Sequence, residues 1–222
     1  MSMEMDQLVQ LILNGTGETL YMTLISTAIA YVIGLPLGVL LVITEKGHIR
    51  PNPYFNSVLG TAINLLRSIP FLILIVMLFP VTRAVMGSAI GSKATILPLV
   101  VGAFPYIARM VESSLKEVDH GVIEAAQSMG ASPLQIIYKV MLPESFPSLL
   151  NGLAICLTTI LGYTAMAGAV GGGGLGKIAI DYGLNRNKMD ILYVASIALV
   201  LLVQVMQVLG TRSSKWIDHR RK

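Results

Sequence analysis

Between Glu18 and Glu45 the chain carries no charged side chain, and a second charge-free run extends from Ile191 to Thr211. A helix needs about 20 apolar residues to cross about 30 Å of hydrocarbon, and both runs reach that length. Backbone polar groups find no water in lipid, so such segments must bond internally as helices. Three further apolar runs fit the same reading. They cover about Val58 to Phe79, interrupted by Arg67; about Thr95 to Val111, the shortest, with Pro98 and Pro105; and Phe146 to Val170, with Thr158, Thr159 and Thr164 inside. The expected architecture is therefore all-α and membrane-integral, with five transmembrane helices in one domain over 1–222. Composition agrees, because 54% of residues are hydrophobic, only 13% are charged and the mean hydropathy is +0.72. Soluble domains carry about 25% charged residues, and this deficit is what lipid-facing surface requires. In the first run Gly34 and Gly38 form a G-x-x-x-G pattern, which lets another helix approach closely.

Five spans place the termini on opposite sides, and the positive-inside bias decides which is where. With the tail inside, 11 of the 16 Lys and Arg residues fall in cytoplasmic segments and 5 outside. The tail itself contributes Arg212, Lys215, Arg220, Arg221 and Lys222, so it dominates that split. The first 18 residues hold no Lys or Arg, which suits an external N-terminus and gives no basic region for a cleavable signal. The net charge of +4 is too mild to indicate nucleic acid without a basic patch. Cys156, the only cysteine, lies in an apolar run and excludes both an internal disulfide and a CxxC metal site.

The longest cytoplasmic loop, about Glu112 to Ser145, is the least lipid-like part of the chain. Asp119 is placed as an N-cap. Val122, Ala126 and Met129 recur at i, i+4 and i+7 on one face, and Gly130 stands where a helix-terminating glycine belongs. Ser132-Pro133-Leu134-Gln135 reads as a second start, with serine as cap, proline in the first turn and glutamine closing a capping box. Leu142-Pro143 is expected to end that second helix. The loop is thus a helix, a tight turn and a shorter helix, the form of a docking element.

Several chemistries are disfavoured. Ion-coupled carriers bury ionisable groups near the midplane. Here His48, His120 and His219 fall in cytoplasmic segments, no Asp or Glu lies deep in any expected span, and Arg67 and Arg109 sit near cytoplasmic ends where they can snorkel. Backbone carbonyls remain an alternative sodium ligand. Gly171-Gly172-Gly173-Gly174-Leu175-Gly176-Lys177 matches G-x-x-x-x-G-K, but Ile178 stands where a phosphate loop needs Ser or Thr, and an apolar span precedes it instead of a strand. The glycines also lack a potassium-filter sequence. They read instead as a turn leaving the fourth span, serving either motion at an external gate or close packing. No H-E-x-x-H, G-x-S-x-G or paired intramembrane aspartates indicate an enzyme, and no cofactor or metal is called for.

Glu124-Ala125-Ala126, then Gly130, then Val140, Leu142 and Pro143 resemble the E-A-A-x3-G-x9-I-x-L-P motif of ABC-importer permeases, with Val140 in the isoleucine place. Arg67-Ser68-Ile69-Pro70-Phe71, Ile107-Ala108-Arg109-Met110-Val111-Glu112 and the run Gly162 to Gly171 are similar to the methionine importer permeases. The similarity extends from about Glu18 to the fifth span. It implies a type I ABC importer permease fold with a cytoplasmic coupling helix, in which Glu124, Ala125, Ala126 and Gly130 engage a separate ATPase. It also implies a homodimer in a bacterial inner membrane, two ATPase subunits and an extracytoplasmic methionine-binding protein. The cargo it implies is methionine, the L-form and, as an open extension, the D-form.

Tyr163, Thr164 and Met166, at the outer end of the fourth span, are the candidate translocation path or gate. A flexible, polarizable Met166 suits a thioether cargo, and packing is the equal alternative. Other readings of the whole chain are a permease for another amino acid or small solute, an ion-coupled carrier or channel, and a scaffold without cargo.

Overall fold

The computed structural model describes Met5–Ile217, with side chains as far as Arg212. The charges of Lys215, Arg220, Arg221 and Lys222, which weigh heavily in the orientation argument, and His219 lie outside the described side chains. The helices are α1 (Met5–Ile43), α2 (Pro53–Ser68), α3 (Phe71–Met77), α4 (Phe79–Met86), α5 (Ser92–Leu115), α6 (His120–Ser128), α7 (Pro133–Ile136), α8 (Leu142–Gly168), α9 (Gly174–Ile178) and α10 (Met189–Ile217). Wider π-type turns at Ile137–Met141 and Ala179–Leu184 follow α7 and α9. Among the described residues four helical segments are long and apolar enough to cross a membrane, and five if the bent pair α2–α3 counts as one.

The spans differ from the sequence expectation at their ends, for local reasons. The first begins at Met5, well before Thr19, and α1 runs for 39 residues. At about 1.5 Å per residue it is close to 60 Å long, more than a bilayer core demands. Glu18, expected at the border of the first span, therefore lies inside the helix. The second span is not one helix: α2 stops at Ser68 and α3 restarts at Phe71, because Pro70 is extended (φ −57°, ψ 132°) and disfavours helical backbone before it. The third extends past Thr95 and Val111 at both ends, to Ser92 and Leu115. α5 has 24 residues and carries Pro98 and Pro105 within it. Leu142-Pro143 does not end a helix either. The Leu142 N–H donates to the Ile137 carbonyl across the wider turn, and the chain continues from Pro133 to Gly168 as one 36-residue apolar element. Shifting the bonding register by one residue is how a helix passes a proline that supplies no N–H.

The chain divides into two compact units. The first gathers Met1–Ile29, Ile69–Ala103 and Leu157–Val208; the second gathers Ala30–Ser68, Phe104–Cys156 and Leu209–Lys222. In the first, Gly102 lies against Phe71 and Leu74, and Leu8, Leu11 and Ile12 pack on Ile178, Ile191 and Ala195. In the second, Leu41, Ile63 and Ala108 form a core flanked by Leu37 and Leu59. The G-x-x-x-G pattern finds its partner there. A Cβ on Gly34 would stand 2.9 Å from the Phe104 carbonyl oxygen, and one on Gly38 would stand 2.6 Å from that of Ala108, so α1 lies directly on the α5 backbone. The apolar window of α10 is only 11% buried within this chain, which leaves that surface for lipid or another protein.

Candidate functional site

The loop that holds α6 and α7 is capped as its sequence predicts. Asp119 Oδ1 accepts from the Gly121 N–H at 2.7 Å and caps α6. The helix ends at Gly130 with φ +77°. Gly130 N–H donates to the Gln127 carbonyl and Ala131 N–H to that of Ala126, the paired bonds of a Schellman closure. Two residues on, Ser132 and Gln135 form a reciprocal capping box that starts α7. So α6 is a short rod with both ends fixed.

The face that α6 buries is not the one expected. Ile123 and Ala126 are buried, whereas Val122 and Met129 stand exposed. A four-residue step from Val122 reaches the edge of the buried stripe, and Ile123 is the residue that completes it. Glu124 and Ala125 face outward, so of the Glu-Ala-Ala triplet only Ala126 takes part in the packing beneath. Leu134 and Tyr138 are also exposed, at 67% and 68%. With Val122 and Met129 they give this loop an exposed apolar surface, of which spacing singled out only Val122 and Met129.

Charges stand at the base of α6. Lys116 Nζ lies 2.9 Å from a Glu45 carboxylate oxygen and 3.0 Å from one of Glu112. Burial alone would lower the Lys116 pKa, but the bonds to the two carboxylates outweigh it and hold the pKa above the ordinary lysine value. The His48 and His120 rings sit 5.8 Å apart, and His48 Nδ1 is buried without a hydrogen-bond partner. Burial pushes the His48 pKa down, His120 and Lys116 push the same way, and Glu45 opposes them.

The three path candidates do not share one environment. The Tyr163 ring stacks on Phe71 at 4.4 Å between centroids. Thr164 is buried and donates its hydroxyl to the Leu161 carbonyl. Met166 is half exposed. Beyond them the glycine run makes a compact turn into α9, and the helix α8 precedes it where a phosphate loop would need a strand. Glu18 Oε2 accepts from the Gly174 N–H at 2.7 Å and from Ser92 Oγ at 2.8 Å, and Thr19 Oγ1 accepts from the Leu175 N–H at 2.9 Å. Neither Glu18 nor Ser92 was among the sequence candidates. Their only signal was position, at the edge of one apolar run and before another.

These features have counterparts in known proteins. Residues 34–222 match the family described as "Binding-protein-dependent transport system inner membrane component". The chain belongs to that family. A probable D-methionine transport system permease protein MetI of Vibrio cholerae is 49% identical over 210 residues, covering 95% of this chain and 93% of its own length. The methionine import system permease protein MetP of Bacillus subtilis is 46% identical, with 93% of each chain covered. A chain of the inward-facing MetNI methionine ABC transporter superposes with a TM-score of 0.94 at 45% identity, over 99% of this chain and 100% of that one. An amino acid ABC transporter with histidines matches at a TM-score of 0.72 and 19% identity, and shares the fold. The chain is thus a type I importer permease, a membrane transport subunit.

Proposed function

We propose that this chain is the membrane-spanning subunit of a methionine importer, moving its cargo by alternating access while a separate ATPase supplies the energy. The observation that carries the reading is the capped α6 with Glu124 and Ala125 facing outward beside exposed Val122, Met129, Leu134 and Tyr138. An apolar patch of this kind, rimmed by polar groups, is the mark of a protein interface. The near full-length likeness to permeases named for methionine supplies the cargo, L-methionine and by extension the D-form. The partners are an ATPase pair, an extracytoplasmic binding protein and a second copy of the chain. The two units act as one permease domain, because α1, α5 and α8 are each continuous across a unit boundary. The charge bias favours an external N-terminus and a cytoplasmic tail.

Glu124, Ala125, Ala126 and Gly130 carry the coupling: Ala126 seats the helix, Ala125 keeps its outer face low, Glu124 fixes register, and Gly130 sets the exit. Tyr163, Thr164 and Met166 border the path, with Met166 the one of the three exposed enough to meet cargo in this conformation. The test is a pull-down of the tagged chain from membranes, paired with uptake of labelled methionine in a deletion strain. Recovery of an ATPase with uptake restored only by the chain supports the reading. Recovery with no methionine defect discards the cargo, and no ATPase discards the importer. A Glu124→Lys chain should reach the membrane but retain the ATPase about tenfold less well, the loss expected when one charge is reversed at an interface.

A further inference from the structure

Arg109 was expected to snorkel toward water, yet its guanidinium is spent inside the protein. Nη2 donates to the Gly60 carbonyl at 2.8 Å, Nε to Asn64 Oδ1 at 3.1 Å and Nη1 to Glu112 Oε2 at 2.6 Å. The first two acceptors belong to α2 and the third to α5. The other oxygen of Glu112, Oε1, takes Lys116, and Lys116 also takes Glu45, just beyond the end of α1. A second tie joins the same elements: Asn56 Nδ2 donates to Thr44 Oγ1 at 3.0 Å. The chain Asn64–Arg109–Glu112–Lys116–Glu45 therefore links α2, α5 and the end of α1, and its Lys116 stands four residues before α6 begins at His120.

We propose that Arg109 is a positioning residue of the transport cycle: through Glu112 and Lys116 it passes displacement of α6 to α2, and so couples ATP use to cargo movement. The inference rests on the importer reading above. Isolated pairs of this exposure add little to stability, since Lys116 and Glu45 are each nearly half exposed. What the network supplies is geometry. A guanidinium presents a fixed fork of donors, so three acceptors on two helices are held at set distances. The carbonyl that receives it belongs to a glycine. A Cβ on Gly60 would lie 3.2 Å from Arg109 Nη2, so the absence of a side chain there is what lets the fork reach the α2 backbone. Contiguous hydrogen-bonded groups between rigid helices are the physical form in which such coupling travels.

The experiment uses the full importer in vesicles, reading labelled methionine taken up per ATP hydrolysed. Arg109→Gln should assemble with its ATPase and keep hydrolysis, while uptake per ATP falls about tenfold. Arg109→Lys should not restore it, because one ammonium cannot span the three acceptors. Gly60→Leu leaves every charge in place and sets its Cβ against the guanidinium, with Leu41 the next neighbour at 3.8 Å, and it should show the same uncoupling. Leucine is also a better helix former than glycine, so α2 keeps its local preference. If Arg109→Gln fails to accumulate, Gly60→Leu decides alone. Unchanged uptake per ATP, or uptake and hydrolysis that fall together, overturns the proposal. A wild-type chain that recruits no ATPase overturns the importer reading itself, and this is seen before any variant is made.

Discussion

The glycine turn after α8 and the loop that holds α6 both join helices, and both depend on glycine, but with different emphasis. In the turn glycine makes room, and at Gly171 and Gly174 it also takes a positive φ. Cβ atoms on Gly168 and Gly176 would run into the Gly176 backbone and the Ala165 carbonyl respectively, and Gly172, Gly173 and Gly174 are all buried. In the loop Gly130 makes an angle: nothing lies within 4 Å of where its Cβ would stand, and only the positive φ excludes other residues. The partners follow the same division. The turn is bonded by side chains remote in sequence, Glu18 and Thr19, and Ser92 in turn holds Glu18. The loop is bonded by its own neighbours, Asp119 accepting from Gly121 two residues on and Ser132 paired with Gln135 three residues on. A segment closed by distant parts is determined by the fold, and one closed by local caps keeps its shape while presenting an outer face to a partner.

The largest expected effect comes from filling the packed turn. Gly168→Val places branched carbon against the Gly176 and Lys177 backbone, which cannot move aside as a side-chain tip does. Overpacking of that kind costs about 3 kcal/mol. The expected outcome is a permease that melts at clearly lower temperature in detergent, or that fails to accumulate. Wild-type thermal stability would break the comparison, because the turn would then have slack.

Gly130→Val should cost less, about 1–2 kcal/mol, since the penalty is purely that of left-handed backbone. The two glycines separate cleanly under asparagine, which tolerates positive φ. Gly130→Asn should recover most of the loss, and Gly168→Asn should recover none. Thermal denaturation of the four variants checks this, and equal damage from both asparagines would erase the distinction.

The same division decides how much was legible in the sequence. The loop was readable almost bond by bond, because Asp119, Gly130, Ser132 and Gln135 act on residues two to five positions away. Its buried face was misread by one position, since Val122 and Ile123 are equally apolar and only packing chooses between them. The end of α7 was misread because Pro143 signals a stop, and a one-residue change of bonding register cancels that signal. The turn was legible only as a run of glycines. Its partners lie as far as 156 residues away, and no local pattern marks Glu18 as the acceptor for Gly174. Arg109 was seen as a charge near a helix end, but not as a three-way tie, for the same reason.

The smallest effect concerns pH, and it should touch the loop alone. His48 lies beside His120, the first residue of α6, with Lys116 and Glu45 nearby. Burial, aided by the positive neighbours, lowers its pKa in the folded chain below the ordinary 6.5. As pH falls through 6.5 the unfolded segment takes up a proton that the folded site resists, so the unfolded state binds more protons and stability falls with pH. Above 6.5 neither state is charged and the contribution is complete. Amide exchange of α6 should therefore quicken as pH drops from about 7.5 to about 5.5, after correction for the intrinsic rate, while protection of the glycine turn holds. His48→Gln removes the titrating group and should flatten the response at α6. An equal slope in wild type and variant would assign the pH response elsewhere. A matching slope at the glycine turn would show that the two regions do not answer separately to the water around them.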